Sequence, residues 1–154
     1  NGALNALKWM KEEEFKIIVV TNQSGIARGR YTEQHVQDLH QWVDKRLANR
    51  NLFIDDWYYA PHHPEHDPGN KYAPEDRKPG TGMFEKAAVK HDIDLSKSYM
   101  AGDKITDLKP AIDLNITPFF IRSRHEHNQD KDWLKSYEIP TFDNIGQVIS
   151  SPYF

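Results

Sequence analysis

The sequence predicts an α/β fold, a Rossmann-like three-layer sandwich with a mostly parallel sheet and no large cap domain. Three observations point there. Short apolar runs alternate with longer segments of helical period, the pattern of βαβ units joined by right-handed crossovers. The first run, residues 16–20, is continuously apolar apart from its leading lysine, as a strand buried on both faces should be. Polar motifs containing glycine follow two of the runs, at the carboxyl ends where open α/β sheets bind their ligands.

Each element has its own signal. Ala3, Leu4, Ala6, Leu7 and Met10 recur at helical spacing, which predicts a helix over 3–13. The strand at 16–20 leads into a loop at 21–31. Thr32 is an N-cap candidate, and Val36, Leu39, Val43 and Leu47 form one apolar face of a helix reaching Ala48. Residues 57–60 read as a second strand, with at least one of Trp57, Tyr58 and Tyr59 in the core. A loop over 61–80 holds five prolines and two glycines. A helix over 81–91 turns Met83, Phe84, Ala87 and Ala88 inward. Strands follow at 99–101 and 117–121, with a helix between them at 106–114 whose length Pro110 limits. Beyond His125 the chain is polar, with a weak helical pattern near 144–150, and Trp133, Tyr137 and Phe142 are available to fasten it to the body.

A chain of 154 residues is expected to form one domain over 1–154. Its net charge of −3 gives no sign of a polyanion-binding surface, so nucleic acid is not an expected partner. The absence of cysteine excludes disulfides, thiolate catalysis and cysteine-ligated zinc. No apolar run approaches the roughly 20 residues that span a bilayer. The expectation is a cytoplasmic monomer that handles a small molecule.

Three ordered motifs carry the chemistry: Thr21-Asn22-Gln23-Ser24-Gly25, Arg77-Lys78-Pro79, and Gly102-Asp103-Lys104 with Asp107 close behind. A hydroxyl and a carboxylate each sit just past a predicted strand, and a lysine lies on a loop between them. A hydroxyl, a cation and a metal-binding carboxylate converging at one sheet end describe a site that handles phosphoryl groups.

On these motifs the chain resembles the haloacid dehalogenase superfamily of phosphatases. Within it, residues 21–33, 58–64, 77–83 and 101–107 are most similar to the D-glycero-D-manno-heptose 1,7-bisphosphate phosphatases. Histidinol-phosphate phosphatases and polynucleotide 3'-phosphatases share parts of the same strings. The resemblance implies Mg²⁺-dependent hydrolysis of a sugar phosphate through an aspartyl-phosphate. It implies that Thr21 and Lys78 are catalytic, meeting phosphoryl oxygens through a hydroxyl and an ammonium. Asn22, Gln23, Ser24, Arg28 and Arg77 would bind substrate, Asp103 and Lys104 would hold the metal, and Asp107 would support them from behind. Arg30 and Tyr31 are either further substrate contacts or solvated turn residues. A non-catalytic phosphosugar-binding domain is the alternative outside the enzyme class.

The chain departs from this resemblance in two places. The superfamily's first strand ends in an Asp-x-Asp pair that supplies the nucleophile, and no such pair precedes Thr21. Asp92-Ile93-Asp94 has the spacing but comes too late in the order, and reads as a solvated loop. The expectation is that the sequence belongs to a longer protein whose first strand and nucleophile lie upstream. The second departure is the proline-rich loop. The resemblance would place a zinc site of three cysteines and one histidine there, but the matching positions are Ala60, His62, Pro74 and Asp76. Structural zinc is therefore not expected, although His62, His63, His66, Asp67 and Asp76 are nearby candidate ligands.

Overall fold

The computed structural model describes residues 2–66, 74–123 and 128–154. Helices and parallel strands alternate: α1 (Gly2–Glu12), β1 (Ile18–Asn22), α2 (Glu33–Ala48), β2 (Asp56–Ala60), α3 (Gly82–His91) and β3 (Tyr99–Gly102), then α4 (Ile105–Asp113), β4 (Thr117–Ile121), α5 (Asn128–Ser136), β5 (Thr141–Phe142) and α6 (Ile145–Ile149). Two 3-10 turns, Pro74–Asp76 and Leu95–Lys97, flank α3.

All described pairings are parallel, but they form two sheets instead of one: β1 pairs with β2, and β4 sits between β3 and β5. The unpaired edges of β1 and β3 flank an apolar cleft of about 580 Å³, lined among others by Ile18, Val20, Phe84, Tyr99 and Ala101. The ladder bonds show which main-chain groups point there. Ile17 O accepts from Asp55 N, and Gln23 N donates to Ala60 O, so the odd-numbered residues of β1 face β2. By the two-residue period, Ile18 and Val20 turn their N–H and C=O groups to the cleft. Ser98 O accepts from Thr117 N, so Met100 faces β4 while Tyr99 and Ala101 face the cleft.

β1 runs two residues beyond the predicted end because Thr21 and Asn22 find partners in Tyr59 and Ala60. Neighbouring Phe119 and Phe120 on β4 point to opposite faces, and both have 0% exposure, so this sheet is covered on both sides. Phe120 packs with Leu108, Leu134 and Ile139, while Ala111 and Ile116 pack with Phe84. Pro118 is tolerated within β4 because its missing N–H faces the side where β5 pairs only from Phe120 onward. Pro110 lies inside α4 with its ring in the core, and the carbonyl it leaves without a helical partner belongs to exposed Thr106.

Thr32 caps α2 as the sequence suggests, accepting from His35 N, and His35 Nδ1 accepts in return from Thr32 N. The elements α5 and β5 have no sequence forecast, and it is through Leu134, Trp133 and Phe142 that this tail joins the body. One aromatic expectation fails, and a further helix aromatic stays at the surface. Trp57, Tyr58 and Tyr59 are all half-buried, and Trp42 is 54% exposed with Arg46 laid over its ring. The buried aromatic partner in this layer is His40, which stacks on Trp57 at 4.1 Å.

Burial pushes the His40 imidazole below its usual pKa, against the opposing pull of Asp44. The folded chain therefore takes up this proton less readily than the unfolded chain, whose histidine titrates near 6.5. The stability tied to neutral His40 is complete above about pH 6.5 and is lost as pH falls from there toward the lowered folded value. Urea midpoints are expected to drop between about pH 7.5 and about pH 5.5, and by less in His40→Phe.

Candidate phosphoryl-binding site

Lys78 joins the two halves of the site. Its ammonium donates to Val20 O on β1 at 2.6 Å and pairs with Asp107 Oδ1 on α4 at 2.8 Å. Both residues are buried, at 7% and 8% exposure. An ammonium has three donors, and these contacts use two. Among the described residues no contact takes the third, near the carboxyl ends of β1 and β3.

Asn22 fastens this lysine from the main chain. Its Nδ2 donates to Lys78 O at 2.9 Å, and its Oδ1 accepts from Lys78 N at 3.1 Å. The sequence reading assigns Asn22 to substrate, yet both ends of its amide are used in bridging two segments 56 residues apart. Asp107 is held in turn by Lys104 N, which donates to its Oδ2 at 3.1 Å. Gly102 makes room for it: a Cβ there would stand 2.5 Å from Asp107 Cβ.

Asp103 is exposed at the turn between β3 and α4 and has no ion-pair partner among the described residues. An exposed carboxylate without a described ion-pair partner suits Mg²⁺, which binds through one or two protein carboxylates and keeps several waters. Lys104 contributes its N–H to Asp107 at this same turn.

Thr21 lies at the end of β1, and its Oγ1 accepts from Gln23 Nε2 at 3.2 Å. Gln23 Oε1 accepts from Tyr31 OH at 2.7 Å. Ser24 is in the turn that follows, its carbonyl accepting from Arg28 N. The two arginines lie farther out, over the proline-rich loop. Arg28 Nη2 donates to His63 Nε2 at 2.7 Å, and Arg77 Nη1 donates to His62 O at 3.0 Å. Arg30 is exposed in the same turn.

In that loop, His63, Glu65 and His66 bring ligand atoms within 4.8 Å of one another. The Arg28 guanidinium against His63 opposes a cation there. Desolvation first, then the charges of Arg28, His66 and Arg77, pushes the His63 pKa down. Asp67, a candidate ligand from the sequence, lies outside the described residues.

Sequence reasoning missed the tie between β2 and α3. Asp56 accepts from Lys90 Nζ at 2.7 Å, His91 Nε2 at 2.8 Å and its neighbour's Trp57 N. Burial works against this carboxylate, but these bonds outweigh it and hold its pKa well below the usual value. No motif announces the cluster, because its members are 34 and 35 residues apart.

Residues 2–140 match the family described as polynucleotide kinase 3 phosphatase. A D-glycero-beta-D-manno-heptose-1,7-bisphosphate 7-phosphatase from Yersinia pestis is 42% identical over 155 residues, covering 99% of this chain and 82% of the relative. The enzyme of the same name from Escherichia coli K12 is 40% identical over 117 residues, 75% of this chain. That match spans 61% of the Escherichia coli protein's own length. Among solved structures, a D,D-heptose 1,7-bisphosphate phosphatase from B. bronchiseptica, complexed with magnesium and phosphate, superposes with a TM-score of 0.76 at 25% identity. That superposition covers 96% of this chain and 79% of the other. The family match takes in all three motifs of the site, and the chain belongs to the polynucleotide kinase 3 phosphatase family, with a haloacid dehalogenase-like fold.

Proposed function

We propose that this chain forms the phosphoryl-binding body of a Mg²⁺-dependent phosphatase acting on heptose 1,7-bisphosphate and releasing one phosphate. The observation that carries the reading is the buried Lys78 ammonium, held by Asp107 and Val20 O with one donor left. A buried lysine paired this way costs desolvation that a purely structural contact does not require. A phosphoryl group arriving at the sheet end supplies the negative charge that its remaining donor can meet.

The geometry supports the following roles. Lys78 neutralises a phosphoryl oxygen as charge spreads over the transferring group. Thr21 donates its hydroxyl to a second oxygen. Asp103 would hold Mg²⁺, which when bound supplies further positive charge against the phosphate. Arg28, on the loop after β1, and Arg77, on the proline-rich loop, would serve the more distant part of a bisphosphate, where guanidinium forks suit phosphate.

Attack on phosphorus needs a nucleophile, and the family resemblance implies a carboxylate. The cleft between β1 and β3 offers two unpaired parallel edges, and a strand seated there would end beside Thr21, Lys78 and Asp103. We assign the nucleophile to the end of such a strand. Its carboxylate oxygen bonds to phosphorus as the ester P–O bond breaks. A second carboxyl group of that strand, which the resemblance implies as general acid, gives its proton to the departing sugar oxygen. Water then splits the acyl phosphate to release inorganic phosphate and restore the carboxylate.

The relatives' names favour the heptose substrate. The test is phosphate release with Mg²⁺ by the source protein, comparing heptose 1,7-bisphosphate, histidinol phosphate and a 3'-phosphorylated oligonucleotide. Release from the heptose, abolished by chelation, is the expected result. Release from either competitor alone overturns the substrate. Release from none favours a domain that binds phosphosugars without hydrolysing them.

A further inference from the structure

We infer that Gln23 is a positioning residue that works through Thr21, and that Tyr31 sets its orientation; this rests on the phosphatase reading above. Three observations build the relay. Tyr31 OH lies 2.7 Å from Gln23 Oε1, and Gln23 Nε2 lies 3.2 Å from Thr21 Oγ1. Tyr31 is brought back against the motif by the turn at residues 24–30, in which Arg30 N donates to Gly25 O. Gly25 is the seat of its ring: a Cβ there would stand 2.1 Å from Tyr31 Cε1.

The direction of the bonds gives the relay its consequence. A phenol is a better donor than acceptor, so Tyr31 fixes the carbonyl end of the Gln23 amide toward itself. The NH₂ end then faces Thr21 and fills an acceptor site on Oγ1. A hydroxyl has one proton and two lone pairs. With a donor already on Oγ1, its own proton cannot turn toward Gln23 and is left to point at an incoming phosphoryl oxygen. The opposite amide orientation would draw that proton away from the substrate. Gln23 thus needs no contact with substrate, which departs from the substrate-binding role the sequence assigns it.

A double-mutant cycle in Mg²⁺-dependent phosphate release tests this, using Gln23→Met, Thr21→Val and both together. Gln23→Met is expected to lower kcat by about 3- to 10-fold, the worth of one hydrogen bond, with KM little changed. In the Thr21→Val background the same change is expected to have almost no effect, because its target hydroxyl is gone. Tyr31→Phe is expected to lower kcat in the same sense but less. An additive cycle, or a Gln23→Met effect on KM alone, would show a direct substrate contact and overturn the proposal.

A second readout does not depend on turnover. The side-chain amide proton resonances of Gln23 are expected to shift in both Thr21→Val and Tyr31→Phe, and to be unmoved by Asp103→Asn. Amide resonances indifferent to Thr21 and Tyr31 would sink the relay even in an active enzyme. Shifts of this kind in a protein that hydrolyses none of the substrates would leave the relay standing and reject the phosphatase reading.

Discussion

Cutting Asp107 back to alanine is expected to cost the fold about 3–5 kcal/mol, the penalty for stranding a buried charge. Lys78 would keep Val20 O as its described partner but lose its counter-charge, with its side chain 6% exposed. The turn before α4 would lose its anchor as well, since Lys104 N donates to the same carboxylate. Urea unfolding at neutral pH measures the loss. The control is Lys78→Met combined with Asp107→Leu, which removes both charges and is expected to lie near wild-type stability, because replacing a buried pair with apolar groups is often neutral. A single variant as stable as wild type would mean that Lys78 is not confined as described.

Asp103→Asn is expected to do the reverse: a large loss of activity with little loss of stability. Removing the anionic ligand weakens the hold on Mg²⁺ and its charge stabilisation, worth several kcal/mol in the transition state, so kcat/KM should fall on the order of a hundredfold or more. The half-saturating Mg²⁺ concentration should rise in parallel. The urea midpoint should stay put, because Asp103 is exposed and has no described ion-pair partner. Full activity in this variant would remove Asp103 from the metal site. The two aspartates are four residues apart, so burial and pairing decide which one serves the fold and which the reaction.

The elements legible in the sequence were those whose burial writes a period. Val36 and Leu47 on α2 and Met83, Phe84 and Ala87 on α3 are buried as their spacing suggests, although Leu39 of the same α2 face is 54% exposed. The tail was not legible, because α5 presents few apolar residues and β5 is two residues long, held by pairing with Phe120 and Ile121. The strand end at Thr21 and Asn22 was read too short for the same reason: polar residues extend β1 because β2 supplies the partners.

For the site, the order of motifs identified which side chains to consider but not what each one touches. Asn22 looks like a ligand in sequence and is a clamp on Lys78 in space. Tyr31 reads equally well as a turn residue, and only the fold shows its hydroxyl against Gln23. Such contacts depend on chain segments meeting at a sheet end, which local spacing does not encode.

The cleft between the two sheets also has a kinetic meaning. Along β1, the amides of Val19 and Thr21 are tied into the ladder with β2, whereas those of Ile18 and Val20 face the cleft. Neighbouring amides on one strand should therefore trade their hydrogens with solvent at very different rates, fast and slow in alternation, although all belong to the same folded unit. β3 should carry the same alternation, with Tyr99 and Ala101 fast and Met100 slow. A strand seated between them would erase both patterns at once, turning two independently fraying edges into a single cooperative sheet.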